Sequence, residues 1–543
     1  MPSIPPSRHG AAAAATSTFG ALPLILLGAL LLASSARADA IDPSDANILY
    51  SGRWADSNPS APWAQAQGSS IIANFQGTSL AVTMTTSSGE YFRIIVDDDA
   101  DGSQKIQIPS GSPLLLASGL PGGAHKIEIV KETDVGQATF LGFELDVGQS
   151  LNAPPARPPR RIVFYGDSNL AGFSLESERN LGGNQRIGSY YTYAGITARM
   201  FNAENHNISR SGATIGSLNG SYDRIDWQSS SPLWNFNLFP ADLVVVNIGA
   251  NDSGPVSKRK SDYHDLLDDL RFAHPASHIM LYNAYGWDFS EPANFIHEVI
   301  AERGDVNMSF AVFPWLFEQF HGCETDHSGM AQYLAEHLNA VMGWTPGPMD
   351  VVSGYGANGN VANGSFEQRA PFGGWGWRYF DDPGVSRVHD LSGAHDGEYY
   401  LQLVDEASSH QSNPASDGDP VEVTVWLRGA NNGDQVDISI DFRNQNQGAG
   451  TATPMQIETE TKTLTTEWQQ FSMNSTAPTD APNPVYSNRV TFQAGTNDTV
   501  HVDQVTTTVP EPSAWLQLIA GTGCLLLLRR GRSRDRQADV PNL

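Results

Sequence analysis

The hydrophobic pattern of the chain changes twice along its length, and each change restricts the fold that a segment can adopt. Residues 40–150 alternate between apolar and polar positions in short runs such as "SIIANFQGTSLAVTM", with Gly and Asp between the runs. Between 161 and 345, apolar runs of strand length alternate with stretches of helical pattern, and after 346 the short alternating runs return. Alternation of period two predicts antiparallel β-structure, whereas strand–helix alternation predicts a parallel sheet with helices on both faces.

We therefore predict a multidomain chain in which an α/β domain lies between two β-sandwiches. The predicted units are an N-terminal sandwich of jelly-roll type at 39–151, a stiff proline-rich linker at 152–160, a three-layer α/β domain at 161–345 and a second sandwich at 355–508. The predicted strands of the parallel sheet are Arg161–Tyr165, Asp242–Ile248, His278–Tyr282 and Ser309–Phe313, and the predicted helices are Ser189–Phe201, Ser261–Phe272, Glu291–Arg303 and Gly329–Met342. Active sites of such sheets form at the carboxyl ends of the strands.

Both ends of the chain carry the pattern of sorting signals. Residues 1–38 contain an apolar run and the small-residue site Ala36-Arg37-Ala38, which predicts a secretory signal peptide cut before Asp39. A membrane anchor is the alternative, but the apolar run is short for a span. Within 509–536, a Val-Pro-Glu-Pro stop, an apolar stretch and a cluster of arginines follow one another. This tail resembles the PEP-CTERM sorting signal of Gram-negative bacteria, which implies handling by an exosortase, transient membrane contact and an extracytoplasmic location.

The charge balance and the cysteine content exclude several classes of function. The net charge of -27 argues against nucleic acid as a partner, because phosphate binding needs clustered Lys and Arg. The two cysteines, Cys323 and Cys524, do not supply a disulfide framework. The run "DDDADG" at 97–102 is similar to the start of a calcium loop, but Ile108 stands where the loop needs a glutamate. We predict a hairpin turn there, and neither a metal ion nor an organic cofactor.

Four short segments supply the side chains of an acyl-transfer site. They are "FYGDSNLAG" (164–172), "NISRSGAT" (207–214), "VVVNIGANDSG" (244–254) and "GCETDHSGMAQYL" (322–334). Ser168 follows an apolar strand, so its hydroxyl is predicted at a strand end that faces a cleft, although no G-x-S-x-G elbow surrounds it. A serine hydroxyl needs a base to take its proton, and His327 is the predicted base.

The carboxylate that orients His327 is left open between two residues. Glu324 lies three residues ahead of the histidine and can fold back across a turn towards its ring, so it is favoured. Asp326 is directly adjacent, and its side chain points elsewhere in most backbone conformations. Cys323 lacks the context of a nucleophile and is interpreted as a small buried residue.

The negative oxygen that forms on attack needs preorganised hydrogen-bond donors. The backbone N–H groups of Ser168 and Gly212 and the side-chain amide of Asn251 are predicted to form this oxyanion hole, because glycine allows close approach and Asn251 follows a strand. A turn or a helix cap is the alternative for Asn251. The flanking residues predicted to contact the substrate are Asp167, Asn169 and Asp252.

These segments resemble the sequence blocks of the SGNH (GDSL-like) hydrolases. In that resemblance Ser168 is the nucleophile, Gly212 and Asn251 belong to the oxyanion hole, and His327 is the base. The sandwich ahead of them, with "ILYSGRW" near its start, is similar to that of family two carbohydrate esterases. This second resemblance implies removal of acetyl groups from polysaccharides such as xylan.

Two positions depart from the patterns of these families. The SGNH pattern has Asp three residues before the histidine, where this chain has Glu324. Family two has Asp two residues before it, where this chain has Thr325. A Ser–His dyad is therefore an alternative to a full triad.

The C-terminal sandwich resembles carbohydrate-binding modules of the galactose-binding type, through the opening "NGSFE" and the strand "WQQFSM". Trp375, Trp377 and Tyr379 are candidates for a platform on which sugars stack. Packing in the core or between domains is the alternative for each of them.

Together these features predict a secreted serine esterase that removes O-acetyl groups from an acetylated polysaccharide, either xylan-like or the exopolysaccharide of the producing cell. A lipid or aryl esterase is one alternative and would need an apolar acyl pocket. A non-catalytic polysaccharide-binding surface protein is another, and the presence of Ser168, Gly212, Asn251 and His327 argues against it.

Overall fold

The structure is a computed structural model that describes residues 39–177, 179–227, 229–230, 232–284, 295–313, 321–354, 361–368, 376–379, 382–443, 454–481, 485 and 487–508. The predicted signal peptide and the predicted sorting tail lie outside these ranges. Within them, no helix combines the length and the apolar character needed to cross a bilayer.

The N-terminal unit is a sandwich of two antiparallel sheets. Its strands are β1 (Asp39–Ile41), β2 (Ile48–Ser51), β3 (Trp54–Ala55), β4 (Trp63–Ala64), β5 (Ser70–Gly77), β6 (Leu80–Thr85), β7 (Phe92–Val96), β8 (Gln104–Ile106), β9 (Leu114–Ala117), β10 (Gly123–Lys131) and β11 (Ala138–Leu145). One sheet has the order β3-β4-β11-β6-β9, with β1 paired to β11, and the other has the order β2-β5-β10-β7-β8. Period-two alternation buries Phe75, Val82 and Phe140 in the core between the sheets.

The acidic run at 97–102 lies between β7 and β8, which pair as neighbouring antiparallel strands. Asp97 and Asp98 both adopt a left-handed backbone conformation, with φ of 55° and 61°. Aspartate tolerates this conformation better than most residues do. The prediction of a hairpin turn at this place is confirmed.

The middle unit is an α/β domain with a parallel sheet. Its elements are β12 (Arg160–Gly166), α1 (Ser168–Ala171), α2 (Tyr193–Met200), β13 (Ala203–Ser209), α3 (Ile215–Asn219), β14 (Leu243–Asn247), α4 (Val256–Ala273), β15 (His278–Ala284), α5 (Ile296–Arg303), β16 (Met308–Phe313) and α6 (Glu324–Met342), with 3-10 turns at Asn184–Arg186 and Phe236–Leu238. The strand order is β13-β12-β14-β15-β16, and every pairing is parallel.

Helices cover both faces of this sheet. Alternate residues of β12 point to opposite sides, so that Ile162 and Phe164 pack in one core cluster and Val163 and Tyr165 in another. The first cluster includes residues of α2 and α6, and the second includes residues of α3, α4 and α5. The continuous apolar run "IVFY" is therefore buried on both faces, as predicted for a parallel strand between two helical layers.

The sequence predicted four of these five strands and missed β13. Its sequence "AENHNIS" is too polar for a pattern of buried strands. The structure explains this, because β13 is the edge strand and its polar side chains meet the N-terminal sandwich. There, the Gln67 amide donates to the Ser209 carbonyl oxygen at 2.9 Å.

The last helix begins earlier than predicted. The sequence predicted a start at Gly329, but α6 starts at Glu324. The carboxylate of Asp326 accepts the backbone N–H of Cys323 at 3.0 Å and so caps the first turn. His327 consequently lies inside a helix rather than in a loop.

The C-terminal unit is a second sandwich of antiparallel sheets. Its strands are β17 (Val385–His389), β18 (Tyr399–Val404), β19 (Ser408–Pro414), β20 (Pro420–Gly429), β21 (Gln435–Arg443), β22 (Pro454–Thr463), β23 (Gln469–Thr476), β24 (Ser487–Ala494) and β25 (Thr499–Thr508). The sheet orders are β17-β18-β25-β20-β23 and β19-β24-β21-β22. The galactose-binding type and the exact boundaries of the domains stay predictions.

The aromatic residues proposed as a sugar platform have different positions. Trp377 is fully buried in the core of the C-terminal sandwich, and Tyr379 packs partly buried against the same core. For Trp377 the alternative of core packing is therefore confirmed. Trp375 lies outside the described residues.

Candidate active site

The predicted nucleophile lies at the carboxyl end of β12. The strand ends at Gly166, Asp167 follows in an extended conformation, and Ser168 begins α1. Only glycine fits at 166, since a Cβ there would lie 2.4 Å from the carbonyl oxygen of Asn247 on β14. This tight junction of strand and helix places Ser168 at the edge of the sheet where active sites of such folds form.

The second segment lies beside the first. The N–H of Arg210, directly after β13, donates to the carbonyl oxygen of Gly166 at 3.3 Å. Gly212 has a φ of +78°, and a Cβ built on it would meet no atom within 4 Å. Its backbone therefore borders open space in a conformation that glycine adopts without cost, which suits an N–H donor that faces a cleft.

The third segment is joined to the second by the side chain of Asn251. This residue is exposed, and its amide donates to the carbonyl oxygen of Ala213 at 2.9 Å. An amide carries two N–H bonds. One of them can hold Ala213 while the other serves an oxyanion, so the prediction for Asn251 is compatible with the contact that the structure shows.

Asp167 and Asp252, two of the three residues predicted to contact the substrate, accept backbone N–H groups of the surrounding loops. Asp167 is 1% exposed, and its carboxylate accepts the N–H groups of Asn169, at 3.1 Å, and Ala250. Burial raises the pKa of Asp167 to about 7. Asn169 is 2% exposed, so neither side chain offers a free surface to a sugar. Asp252 is half-buried and accepts the N–H of Ile215 at 3.0 Å, which fixes the start of α3.

The histidine that contacts the nucleophile is His321. Its Nε2 lies 2.8 Å from the Ser168 hydroxyl, and its Nδ1 lies 2.9 Å from the side-chain oxygen of Asn180. An amide oxygen only accepts, so Nδ1 carries the ring proton and donates it to Asn180. Nε2 is then unprotonated and accepts from the Ser168 O–H. This is the tautomer that a general base needs.

The surroundings of His321 keep its ring neutral. Burial lowers its pKa to about 4. The ring of Phe173 packs against it, with 4.6 Å between the centroids. At neutral pH the ring is therefore ready to accept a proton, and Asn180 is in the place that a carboxylate holds in a Ser–His–Asp triad.

His327, the predicted base, has different partners. It is fully buried, its Nδ1 accepts the backbone N–H of Tyr193 at 3.2 Å, and its ring stacks on that of Tyr193. Burial lowers its pKa to about 3, with a further contribution from the nearby His321. Because Nδ1 accepts, the proton of the neutral ring lies on Nε2, the atom that would have to accept from a serine. In this structure Ser168 is paired with His321 instead of His327, since the early start of α6 holds His327 against α2.

Asp326 and Glu324, the two residues considered as orienting acids, lie in the first turn of α6. Asp326 caps α6 and forms an ion pair with Arg378 of the C-terminal sandwich. Glu324 is buried, and its backbone N–H donates to the carbonyl oxygen of Leu175 at 3.1 Å. Cys323 is a buried free thiol, as interpreted from the sequence. In the part of the chain that the structure describes, no cluster of His, Cys, Asp and Glu could hold a metal ion.

Sequence reasoning missed both His321 and Asn180. His321 stands six residues before His327, directly ahead of the fourth segment, and no carboxylate motif marks it. The sequence does contain one indication of His321, because two histidines stand close together at 321 and 327. Asn180 lies 141 positions away in the sequence, within a loop that has no pattern of its own.

The N-terminal sandwich holds the loop that carries Asn180. Glu176, in the same loop, pairs with Arg93 at 3.1 Å and Lys105 at 2.9 Å, both from the sandwich. Asn180 itself adopts a left-handed conformation with a φ of 54°. On the other side of the site, the Asp134 carboxylate accepts the N–H of Ser211, next to Gly212, at 2.7 Å. The sandwich thus supports both the histidine partner and the oxyanion loop.

Comparison with known families agrees with this arrangement. Residues 50–155 match the model of the carbohydrate esterase 2 N-terminal domain, and residues 162–343 match that of GDSL-like lipases and acylhydrolases. The two matches follow one another and cover the first sandwich and the α/β domain.

Two curated relatives and one solved structure each align with slightly more than half of this chain. Cellulase/esterase CelE of Acetivibrio thermocellus is 30% identical in an alignment of 334 residues that covers 56% of this chain and 40% of that protein. An acetylxylan esterase/glucomannan deacetylase of Cellvibrio japonicus is 23% identical over 56% of this chain and 91% of its own length. A family two carbohydrate esterase from Clostridium thermocellum, solved with cellohexaose, has a TM-score of 0.51 and 28% identity, covering 55% of this chain and all of that one.

This chain spans less than half the length of the cellulase/esterase. The matched range 162–343 spans Ser168, Gly212, Asn251, His321 and His327. The chain carries an SGNH/GDSL hydrolase domain behind a carbohydrate esterase 2 N-terminal domain, and in this combination it resembles the family two carbohydrate esterases.

Proposed function

We propose that this protein is a serine esterase that removes O-acetyl groups from a polysaccharide. The observation that carries the proposal is the relay from Ser168 through His321 to Asn180, in which both hydrogen bonds have the direction that nucleophilic catalysis needs. The names of the relatives, which include an acetylxylan esterase and a carbohydrate esterase, support an acetylated polysaccharide as the substrate.

The proposed reaction proceeds through an acyl-enzyme. The Ser168 oxygen attacks the acetyl carbonyl carbon, and the hydroxyl proton moves to Nε2 of His321. The resulting imidazolium is held by Asn180 through its Nδ1–H. The negative carbonyl oxygen is stabilised by the N–H groups of Ser168 and Gly212 and by the Asn251 amide.

The intermediate then collapses as the sugar oxygen leaves and takes the proton from His321. Water attacks the acetyl-serine with His321 again as the base, and acetate and free Ser168 result. Each proton taken by Nε2 is returned within the same half-reaction, so no further acid or base is required.

We further propose that the protein is secreted and that its C-terminal tail is cut by an exosortase. This rests on the sequence patterns at 1–38 and 509–536. When the protein is expressed in its own type of host, mass spectrometry of the extracellular fraction should find a chain that begins at Asp39 and lacks the C-terminal tail. Recovery of the unprocessed chain in the cytoplasm would contradict this part of the proposal.

Acetate release from acetylated xylan tests the main proposal, together with cleavage of short and long nitrophenyl esters. The wild type should release acetate and prefer the acetyl ester, and Ser168→Ala should lose this activity while its melting temperature stays close to that of the wild type. A preference for long acyl chains would favour a lipid esterase. Binding of polysaccharide without any ester cleavage would favour a non-catalytic binding protein.

A further inference from the structure

The start of α6 is held by a side chain from outside the hydrolase domain. Arg378 of the C-terminal sandwich forms an ion pair with the Asp326 carboxylate, and its guanidinium also lies 3.2 Å from the Cys323 sulfur. Arg378 is 4% exposed and Asp326 is 7% exposed. Removing either partner of a buried ion pair destabilises a protein, because the other charge is left buried without a counter-charge.

The backbone of Arg378 is fixed by the sandwich. Its N–H donates to the His410 carbonyl oxygen at 2.8 Å, and its own carbonyl oxygen accepts from the N–H of His410 at 2.9 Å. The hydroxyl of Ser409 donates to the same carbonyl at 2.9 Å. The preceding residue, Trp377, is anchored in the core of the sandwich. The guanidinium is therefore presented to α6 from a rigid support.

The Asp326–Arg378 ion pair lies next to the turn that contains His321, the proposed base. The same oxygen of Asp326 that pairs with Arg378 also accepts the N–H of Cys323. A Cβ on Gly322 would lie 3.1 Å from the Cβ of Asp326, so Asp326 also packs against the residue that follows His321. Arg378 thus holds Asp326, and Asp326 holds the turn from His321 to Cys323.

The segment between the two domains adds to this contact. The N–H of Gly354 donates to the Ser328 hydroxyl at 2.8 Å, and that hydroxyl donates to the Thr325 carbonyl oxygen at 2.9 Å. The hydroxyl of Ser353 bonds to the side chain of Gln332. The first turns of α6 are therefore enclosed by residues that lie beyond the hydrolase domain in the sequence.

We propose that Arg378 is a positioning residue of the esterase: acting through Asp326, it sets the place of His321 relative to Ser168. The C-terminal sandwich is then part of the catalytic unit, independently of whether it binds sugar. This inference rests on the proposed function for its kinetic consequence, and on the structure alone for the order of the turn.

The test uses the full chain with Arg378→Met, Arg378→Lys and, as the matched control, Arg428→Met. Arg428 is a partly buried arginine of the same sandwich, and its Nε donates to His501 at 2.9 Å within that sandwich. We expect Arg378→Met to lower kcat for a short acetyl ester at least tenfold with KM within a factor of two. Arg378→Lys should recover most of this loss, and Arg428→Met should resemble the wild type.

Hydrogen exchange gives a readout that does not need activity. The Cys323 amide should exchange at least tenfold faster in Arg378→Met than in the wild type or in Arg428→Met. Equal exchange in all three proteins would overturn the inference, whatever the activity. If the wild type cleaves no ester, the proposed function fails, while the exchange data still decide the role of Arg378 in ordering the turn.

A second pair of variants tests whether Arg378 acts through Asp326. Asp326→Asn should lower kcat as Arg378→Met does, and the double variant should lose no more than either single one, because both act on one contact. If Arg378→Met lowers kcat by the same factor in the Asp326→Asn background as in the wild type, Arg378 does not act through Asp326.

Discussion

The amide of Asn180 distinguishes the proposed Ser168–His321–Asn180 site from a simple Ser–His dyad. Asn180→Ala removes the acceptor that lies 2.9 Å from Nδ1 of His321. The ring then loses the acceptor that holds its proton on Nδ1, and the other tautomer cannot accept from Ser168. The contact should strengthen during the reaction, because the ring becomes an imidazolium when it takes the serine proton.

The size of the effect follows from that charge. A hydrogen bond to a charged group contributes about 1.5–3 kcal/mol. At about 1.36 kcal/mol for each tenfold change in rate, Asn180→Ala should lower kcat/KM by about 10- to 160-fold. Truncation of an exposed side chain in the same loop, Gln185→Ala, is the matched control and should leave the rate within about twofold.

Replacement by a carboxylate should change the pH dependence instead. Burial lowers the pKa of His321 to about 4, so the wild type should keep its kcat/KM as the pH falls until it approaches that value. In Asn180→Asp, a negative charge beside the ring favours its protonated form and should raise the pKa by about 1–3 units. The His321 ring is then protonated, and so unable to act as a base, at a higher pH. The acid limb of the kcat/KM profile should shift to higher pH by the same amount.

The assay is kcat/KM for 4-nitrophenyl acetate between pH 4 and pH 9, with tryptophan fluorescence to show that each protein stays folded. If Asn180→Ala cleaves the ester as fast as Gln185→Ala, the Asn180 amide does not assist His321. An acid limb in Asn180→Asp equal to that of the wild type would also exclude a contact between residue 180 and the His321 ring.

Two further predictions concern the residues around Ser168. Because burial raises the folded pKa of Asp167 to about 7, the native state holds a proton there that the unfolded state releases above its ordinary pKa of about 3.8. The Asp167 carboxyl should therefore lower the free energy of unfolding by at most about 4 kcal/mol as the pH rises from 4 to 7. Asp167→Asn should remove this pH dependence, as measured by denaturant unfolding at several pH values. Parallel curves of unfolding free energy against pH for the two proteins would contradict the prediction. Asn251→Ala should lower kcat by about 100-fold with little change in melting temperature, because it removes one oxyanion donor from an exposed loop, and an unchanged kcat would exclude Asn251 from the oxyanion hole.

The sequence pattern predicted most of the parallel sheet because strands buried on both faces are necessarily apolar. The runs before Ser168 and Asn251 stand out for this reason, and the residues after them could be placed at strand ends. β13 could not be found in this way. Asn207 is buried in it where the edge strand meets another domain, and His206 is buried beside Phe239 of its own domain, so neither gives the strand an apolar pattern.

The proposed base, His321, was harder to predict than Ser168 because its position depends on tertiary contacts. Periodicity does not show that Asp326 caps α6, or that Arg378, 52 positions further along, pairs with it. These contacts start the helix early and bury His327. The partner of His321 is equally remote, since the position of Asn180 depends on how the N-terminal sandwich holds Glu176.

Replacing each of the two histidines in turn shows which one is the base of the esterase. Asparagine at either position removes the ring, and at 327 its side chain can still accept the Tyr193 N–H that the histidine now accepts. With acetate release from an acetylated polysaccharide as the measurement, His321→Asn should lower kcat at least about 1,000-fold, and His327→Asn less than about tenfold. A large loss in His327→Asn together with near-normal turnover in His321→Asn would contradict the account and make His327 the base.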